Sequence, residues 1–308
     1  MKKIMLMHFF ICLFACGCHN NQEKKEMTSS KDYLLQHNSV KGLVATNHQK
    51  LSGIICDLKS YKLYLDQLEN DSITSIPFAL DYIQTCLLTD NVDRDSIFFL
   101  FHKKFYAITS SLNDSLNTKY KFLVNQIEYD SSTVELKSFE NNLAVCGIGI
   151  YSTDGTYYLD AIPDFLYNTF KNRVSEGLVE FLYIRKEELK QGFSQDAAML
   201  ISFEDLYQRV KRWENFLKNY PNTVYNSEAI SYFETYLVTL MTGMDNSKIF
   251  DFQYNSLLPE INTLYENIIK DEPISATTEI ISSYYTFLAR HDFKENDSIQ
   301  IFLKMNGL

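Results

Sequence analysis

A helix–proline–helix pattern occurs twice in the C-terminal third of this 308-residue chain. The segment ENFLKNYP at 214–221 matches ENIIKDEP at 266–273, and EAISYFETYL at 228–237 matches EIISSYYTFL at 279–288. Such self-similarity is typical of stacked helical hairpins, in which each hairpin buries the apolar face that its neighbour leaves open. The pattern therefore predicts a helical scaffold in this part of the chain.

The first helix of the pattern contains Trp213, the only tryptophan in the chain. Apolar residues recur along this helix at spacings of four, three and four, which place them on one face: Leu206, Val210, Trp213 and Leu217. We expect this face to pack against the second helix near Phe233 and Leu237. Trp213 is then a buried scaffold residue and not part of an interaction site.

The scarcity of turn-forming residues extends the helical prediction to the rest of the chain. Only 10 glycines and 5 prolines occur, and strand-rich folds consume many more in their turns. Helical periodicity covers about 47–70, 93–110 and 112–127, and cap signals start helices at Ser75, Pro163, Ser175, Ser202 and Ser227. Gly192 and Gly243 are expected to end two of these helices.

The sequence predicts β-strands in one segment near the middle of the chain. Asp154-Gly155 separates two β-prone runs and suits a type I′ turn, so a hairpin is predicted from about Leu143 to Ile162. The fold class is therefore mainly α: a multi-helix, repeat-like body with one small β-hairpin. Within the hairpin, Tyr157, Tyr158 and Asp160 form a possible binding surface, and ordinary cross-strand packing is the simpler explanation of the same residues.

The N-terminus carries a targeting signal. Lys2 and Lys3 precede an apolar run from Ile4 to Phe14, which is too short to span a bilayer and has the length of a signal peptide. The run ends in Leu13-Phe14-Ala15-Cys16, which resembles the lipobox of bacterial lipoproteins. Cys18 is the alternative, but Ala15 would then occupy the position where the lipobox favours leucine, so Cys16 is preferred.

The lipobox resemblance implies a diacylglycerol-linked cysteine and a membrane-lipid partner. We therefore expect a signal peptide at 1–15, a polar tether at 16–32, an N-terminal helical region at 33–130 and the hairpin with the C-terminal helical repeats at 131–308. Gly17, rather than an aspartate, follows Cys16. Under the sorting rule of this family, that favours the outer membrane, and which leaflet the protein faces stays open.

Two broader resemblances concern the whole chain and its C-terminal part. The lipobox and the Asn/Lys/Tyr-rich composition are similar to those of helical lipoproteins of Bacteroidota, which implies a location and no activity. FLKNYP followed by a second helix resembles the hairpins of tetratricopeptide repeats over about thirty-five residues. The period here is 51–52 residues rather than 34, so the scaffold departs from that family.

Charge and cysteine usage restrict the function further. The net charge of −10 disfavours binding to nucleic acid or to anionic lipid through a basic surface. After lipidation three cysteines remain in the body, Cys56, Cys86 and Cys146, and export permits disulfides. We expect them to be buried apolar residues, with a Cys56–Cys86 bridge as the alternative.

Recognisable catalytic motifs are absent from the sequence. It contains no Gly-x-Ser-x-Gly, His-Glu-x-x-His or Gly-Lys-Ser/Thr, so no catalytic residue, metal ligand or cofactor is assigned. His102 lies inside an apolar run without a second histidine or an acidic cluster, and we expect it to be half-buried. The leading hypothesis is a non-enzymatic, membrane-anchored envelope lipoprotein that binds a protein or peptide partner. A carboxylate-based hydrolase or a glycan-binding lipoprotein is the alternative.

Overall fold

The computed structural model describes residues 55–86, 93–116, 118–128, 133–153, 155–271 and 275–308. The predicted signal peptide and tether, with Cys16 and Cys18, lie outside these residues. The described part contains twelve α-helices and three two-stranded antiparallel sheets. It belongs to one compact unit, Ser39–Leu308. The prediction of a mainly α body with a small hairpin is confirmed.

Five helices precede the central hairpin, and the longest of them forms the core of this half. Phe98, Phe101 and Phe105 of that helix are completely buried. The sequence predicted a break at Ser111, but the helix continues because Leu112 and Leu116 are also buried against the core. The five are α1 (Leu58–Asp66), α2 (Ser75–Cys86), α3 (Arg94–Leu116), α4 (Lys121–Glu128) and α5 (Val134–Val145).

The central hairpin consists of β1 (Ile148–Thr153) and β2 (Thr156–Ala161), with Thr153 opposite Thr156. The predicted start at Leu143 was too early, because Leu143 belongs to α5. The Asn113 side chain of α3 holds β2 in place: its Nδ2 donates to the Leu159 carbonyl oxygen (2.9 Å), and its Oδ1 accepts from the Leu159 N–H (2.7 Å).

Three helical hairpins and a terminal helix follow. In order they are α6 (Pro163–Phe170) with α7 (Glu176–Gln191), α8 (Phe203–Asn219) with α9 (Asn226–Thr242), α10 (Pro259–Asp271) with α11 (Ala276–Arg290), and then α12 (Ser298–Met305). The members of each pair pack against each other, and α7 packs on α8, which packs on α11. The two helix–proline–helix segments of the sequence are the second and third hairpins.

The cap signals at Ser175 and Ser202 and the proline signal at Pro163 were correct, whereas Ser75 is the first residue of α2 rather than its N-cap. The Ser175 and Ser202 hydroxyls accept hydrogen bonds at the starts of α7 and α8, as predicted. The prediction that Ser227 caps α9 was wrong, since this helix begins at Asn226 after Tyr225. Tyr225 buries its ring against Phe181 at a centroid distance of 4.3 Å, and this packing sets where the helix starts.

Two very short strand pairs connect successive hairpins: β3 (Ser194–Gln195) with β4 (Ala198–Met199), and β5 (Gly243–Met244) with β6 (Ser247–Lys248). The two pairs lie side by side. The Asn246 N–H donates to the Ala197 carbonyl (2.9 Å), and the Met199 N–H donates to the Ser247 hydroxyl (2.9 Å). The first and second of these hairpins therefore share the type of connection that follows them as well as the helix pair.

The cysteines in the body differ from the default expectation. Cys56 and Cys86 form a disulfide, so the alternative pairing is the one observed, and it fastens the segment before α1 to the end of α2. Cys146 is free and buried, as expected of a small apolar residue. Burial raises the pKa of its thiol to about 12, which leaves it protonated and unreactive near neutral pH.

Candidate ligand-binding cavity

Trp213 belongs to the scaffold. Its side chain is completely buried in α8, as predicted. The indole stacks on Tyr232 of α9 at 4.9 Å and meets the ring of Phe181 of α7 edge-on at 5.6 Å. The indole N–H donates to Oε1 of Glu188 at 2.7 Å. The aromatic neighbour on α9 is thus Tyr232, and the expected contact with Phe233 and Leu237 stays a prediction.

Glu188 joins three helices through one buried carboxylate. Besides the indole N–H, it accepts a hydrogen bond from the Tyr236 hydroxyl (3.0 Å) and one from Nη1 of Arg185 (2.6 Å). Its side chain is 2% exposed. A buried carboxylate that is paired with a cation and fully hydrogen-bonded is a structural group, so we assign Glu188 to the scaffold and not to chemistry.

A second buried cation lies beside this carboxylate. Arg209 of α8 is 3% exposed and donates from Nη2 to Oε1 of Gln191 (2.8 Å) and to the carbonyl oxygen of Gly192. Its guanidinium also lies 5.5 Å from the ring centroid of Tyr236. Arg209 thereby satisfies the carbonyl at the end of α7 and fixes the turn into the next hairpin.

A cavity of about 250 Å³ lies among α3, α6, α7 and α9, next to the Glu188 carboxylate. We call it the α3–α9 cavity. Its wall combines aliphatic side chains with aromatic and polar ones, as is typical of small-molecule sites. The polar members that matter here are His102 and Tyr106 from α3, Arg185 from α7, and Tyr225, Glu228 and Tyr232 at the start of α9.

Helical spacing explains how these side chains converge. His102 and Tyr106 are four residues apart on α3, so they lie on one face. Tyr225, Glu228 and Tyr232 follow spacings of three and four and likewise share a face of α9. The two faces meet directly, since the rings of His102 and Tyr225 approach to 5.4 Å edge-on.

Burial keeps the histidine and the tyrosines of the cavity wall uncharged near neutral pH. Burial, followed by the charge of Arg185, lowers the pKa of His102 to about 4, so this imidazole is neutral near pH 7 and offers one donor and one acceptor. Burial also raises the pKa of Tyr106, Tyr225 and Tyr232. All three phenols therefore retain their protons at neutral pH.

Tyr225 has an unsatisfied polar atom. The residue is 1% exposed, and its hydroxyl is buried without a hydrogen bond to any protein group. An unpaired buried hydroxyl costs about 1–3 kcal/mol. The same side chain lines the α3–α9 cavity, but its hydroxyl oxygen is out of reach of a water molecule, so the ring and not the hydroxyl borders the cavity.

The cations of the cavity already have counter-ions. Arg185 is paired with Glu188, and its guanidinium lies 4.1 Å from the centroid of the Tyr232 ring. The Lys186 amine is 3.1 Å from Oε1 of Glu187 and also lies over the ring of Tyr167 at 4.4 Å. Glu228 is the one carboxylate that lines the cavity in the described part of the chain. The wall therefore has little net charge to offer a ligand.

The surface predicted from the hairpin is only partly assembled. Tyr158 and Asp160 lie on one face of β2, and Tyr157 lies on the other. Tyr158 stacks on Tyr151 of the paired strand at 5.8 Å, which is the cross-strand packing that the sequence also allowed. The charge of Asp160 contributes to the raised pKa of Tyr106, so Asp160 lies near the α3–α9 cavity without lining it.

The described residues show neither a pair of carboxylates in the cavity wall nor a metal-binding cluster. Glycosidases need two carboxyl groups flanking the scissile bond, and the described wall of the cavity supplies Glu228 alone. Within the described residues, no group of three or more His, Cys, Asp and Glu side chains is arranged to hold a metal ion. Sequence reasoning missed the cavity residues on α9, although their helical spacing was visible, because an aromatic stripe is equally typical of a core.

No family model, curated protein or solved structure matches the chain. The interpretation of the cavity therefore rests on its geometry. In the described part of the chain, none of the helices combines the length and apolar character needed to cross a membrane.

Proposed function

We propose that this chain is a lipid-anchored envelope protein with a binding body and no catalytic activity. The body binds its ligand in the α3–α9 cavity, and acylated Cys16, with Cys18 as the alternative, holds the protein at a membrane. The observation that carries the proposal is a cavity of about 250 Å³ whose wall combines aliphatic, aromatic and polar side chains. Catalysis has less support, because a single carboxylate lines the described wall.

The anchor rests on the lipobox resemblance of Leu13-Phe14-Ala15-Cys16. A Cys56–Cys86 disulfide is in keeping with an exported protein, since disulfides persist in oxidising compartments. Gly17 after Cys16 favours the outer membrane. Acyl chains also provide attachment that an acidic protein lacks by charge, because each buried CH₂ contributes roughly 0.8 kcal/mol.

The size of the cavity restricts how a protein or peptide partner binds. A volume of about 250 Å³ accepts one small molecule or a single inserted side chain. A peptide partner, the leading expectation from the sequence, would therefore place one residue in the cavity and lay the rest of its chain outside. A small ligand uses the same contacts without that restriction, so the geometry favours it.

Thermal unfolding with ligands of several classes tests the proposal. Neutral sugars, sugar acids, amino acids and short peptides are added to the full-length protein and to a Leu189→Trp variant. Leu189 lines the cavity, so the added ring fills it. We expect at least one class to raise the Tm of the wild type, because a ligand that binds only the folded state stabilises it. The same class should leave the Tm of Leu189→Trp unchanged.

The matched control is Tyr183→Trp, on the same helix but at an exposed position outside the cavity wall. This variant should respond to ligand as the wild type does. A stabilising ligand that acts equally on Leu189→Trp would show that binding occurs elsewhere. If no class stabilises the wild type, the cavity is not a binding site for these compounds and the proposal fails.

A further inference from the structure

We infer that the ligand of the α3–α9 cavity is a neutral sugar, recognised as a single pyranose ring. This inference rests on the proposed binding function and names the chemical class of its ligand. It follows from the hydrogen-bonding groups in the cavity, from their charge balance and from the available volume.

The hydrogen-bonding groups match a ligand that is rich in hydroxyls. The phenols of Tyr106 and Tyr232 each donate and accept, and neutral His102 does both through its two nitrogens. Glu228 accepts only, and Arg185 donates only. A wall with donors and acceptors in similar numbers is complementary to sugar hydroxyls, since each of these is also both donor and acceptor.

The charge balance disfavours charged ligands. An anion would gain little from Arg185 and Lys186, because Glu188 and Glu187 already neutralise them at 2.6 and 3.1 Å. It would also meet the negative charge of Glu228 in the wall. A cation would gain from Glu228 but would meet Arg185. A neutral polar ligand avoids both costs, because bringing like charges together in a low-dielectric site is unfavourable.

Volume and aromatic surface agree with a single ring. A cavity of about 250 Å³ has room for one small ring with its substituents and not for a longer chain. Tyr106 lines the cavity and is 37% exposed, so its ring offers a surface for the C–H face of a sugar. The rings of Tyr225 and Tyr232 are already stacked, on Phe181 and Trp213, and of these two residues only Tyr232 offers its hydroxyl.

Trp213 provides the measurement. It is the only tryptophan and stacks on Tyr232, which lines the cavity, so a bound ligand is expected to alter its fluorescence. The full-length protein, in a detergent without a sugar head group, is titrated with methyl β-glucoside, methyl β-galactoside and N-acetylglucosamine. Sodium glucuronate supplies the anionic pyranose, and L-phenylalanine supplies the zwitterion.

We expect a saturable response to at least one neutral sugar, tighter than the response to glucuronate or phenylalanine. Tyr232→Phe removes one hydroxyl of the cavity wall, keeps the ring that stacks on Trp213, and should weaken that binding by about tenfold, the effect of losing one hydrogen bond. Tyr284→Phe is the matched control. It also removes one phenolic hydroxyl, but Tyr284 lies on α11 outside the cavity wall, so the affinity should stay unchanged.

Three results would overturn the inference. The first is that no neutral sugar gives a saturable response below roughly 50 mM. The second is that glucuronate or phenylalanine binds more tightly than every neutral sugar. The third is equal sugar affinity in the wild type and in Tyr232→Phe. Because Leu189→Trp adds a second tryptophan, its response to the same probes is followed as a shift in Tm. A Tm shift with phenylalanine or glucuronate that is lost in Leu189→Trp would reject the sugar while retaining the binding function. If no probe gives a Tm shift that Leu189→Trp abolishes, both the sugar and the binding function are rejected.

Discussion

At the scale of single residues, Trp213 and Glu188 show why an aromatic residue in a repeat need not mark an interaction site. The indole fills space between three helices, and its N–H satisfies one oxygen of a carboxylate that would otherwise be underpaired. Packing and hydrogen bonding therefore depend on the same side chain.

Truncation of Trp213 should destabilise the fold strongly. Replacing a buried Trp by Ala leaves a cavity and costs on the order of 3–5 kcal/mol, and here Glu188 also loses a donor. We expect Trp213→Ala to lower the free energy of unfolding by at least that range, measured by urea denaturation followed by circular dichroism. Phe252→Ala is the control: Phe252 is fully exposed, so its loss should change stability by less than about 0.5 kcal/mol. A stable Trp213→Ala protein would contradict the scaffold role.

His102 should make stability depend on pH. Its pKa is about 4 in the folded protein, because of burial and the charge of Arg185, and 6.5 in an ordinary environment. Between these values the unfolded chain binds more protons, so the free energy of unfolding falls as pH drops from 6.5 to 4. The contribution is complete above pH 6.5 and amounts to at most about 3 kcal/mol.

Comparison of two proteins isolates that contribution. Carboxylates elsewhere also titrate in the lower part of this window, so the wild type is measured against His102→Gln by urea denaturation at pH 7, 6, 5 and 4. We expect the stability of the variant to fall less steeply between pH 6.5 and 5. Parallel curves for the two proteins would show that His102 has the same proton affinity in the folded and unfolded states.

At the scale of secondary-structure elements, the first two C-terminal hairpins end in the same way. Gly192 after α7 and Gly243 after α9 both have positive φ, +73° and +70°. Gly192 precedes the β3–β4 pair, and Gly243 is the first residue of β5 in the β5–β6 pair. The surroundings differ: a Cβ on Gly192 would meet Cδ1 of Leu200, the end of a flexible side chain, whereas on Gly243 it would meet the backbone oxygen of Ser247 at 2.4 Å.

These surroundings predict unequal costs for the same substitution. Gly192→Ala and Gly243→Ala both place a side chain at positive φ with ψ near 180°, a conformation essentially restricted to glycine, which costs roughly 1–3 kcal/mol. Gly243→Ala must also displace the β5–β6 turn, so we expect its loss of stability to exceed that of Gly192→Ala clearly. Differential scanning calorimetry of both variants measures the difference. Equal losses of stability in the two variants would mean that the β5–β6 turn can shift as easily as the side chain of Leu200.

The elements that the sequence predicted are those with local determinants. Ser175 and Ser202 cap helices through hydrogen bonds within three residues, so their sequence signal is sufficient. Ser227 resembles them in sequence but is not a cap, because the burial of Tyr225 fixes the start of α9 through contacts with distant helices. Likewise, the sequence showed similarity between the second and third hairpins only. The structure relates the first hairpin to the second, because the Asn246–Ala197 hydrogen bond joins the β3–β4 and β5–β6 connections.

At the scale of the whole molecule, the cavity was beyond sequence reasoning for a physical reason. Its polar wall joins α3, α7 and α9, with residues from 102 to 232, and no periodic pattern encodes that distance. The hairpin residues Tyr157, Tyr158 and Asp160 were adjacent in sequence, yet alternation along β2 separates them onto two faces. Adjacency in a strand is thus weaker evidence for a shared site than spacings of three and four in a helix.

The last prediction concerns the attachment of the whole protein to a membrane. Because two or more acyl chains give stable anchoring and the net charge of −10 opposes adsorption to anionic lipid, the lipidated cysteine should decide where the protein is found. We expect Cys16→Ser to abolish incorporation of labelled palmitate and either to move the protein into the soluble fraction or to stall its processing. Cys18→Ser is the matched control and should behave as the wild type. Loss of labelling only in Cys18→Ser would identify Cys18 as the anchor, and normal labelling in a double variant would contradict a lipobox at either position.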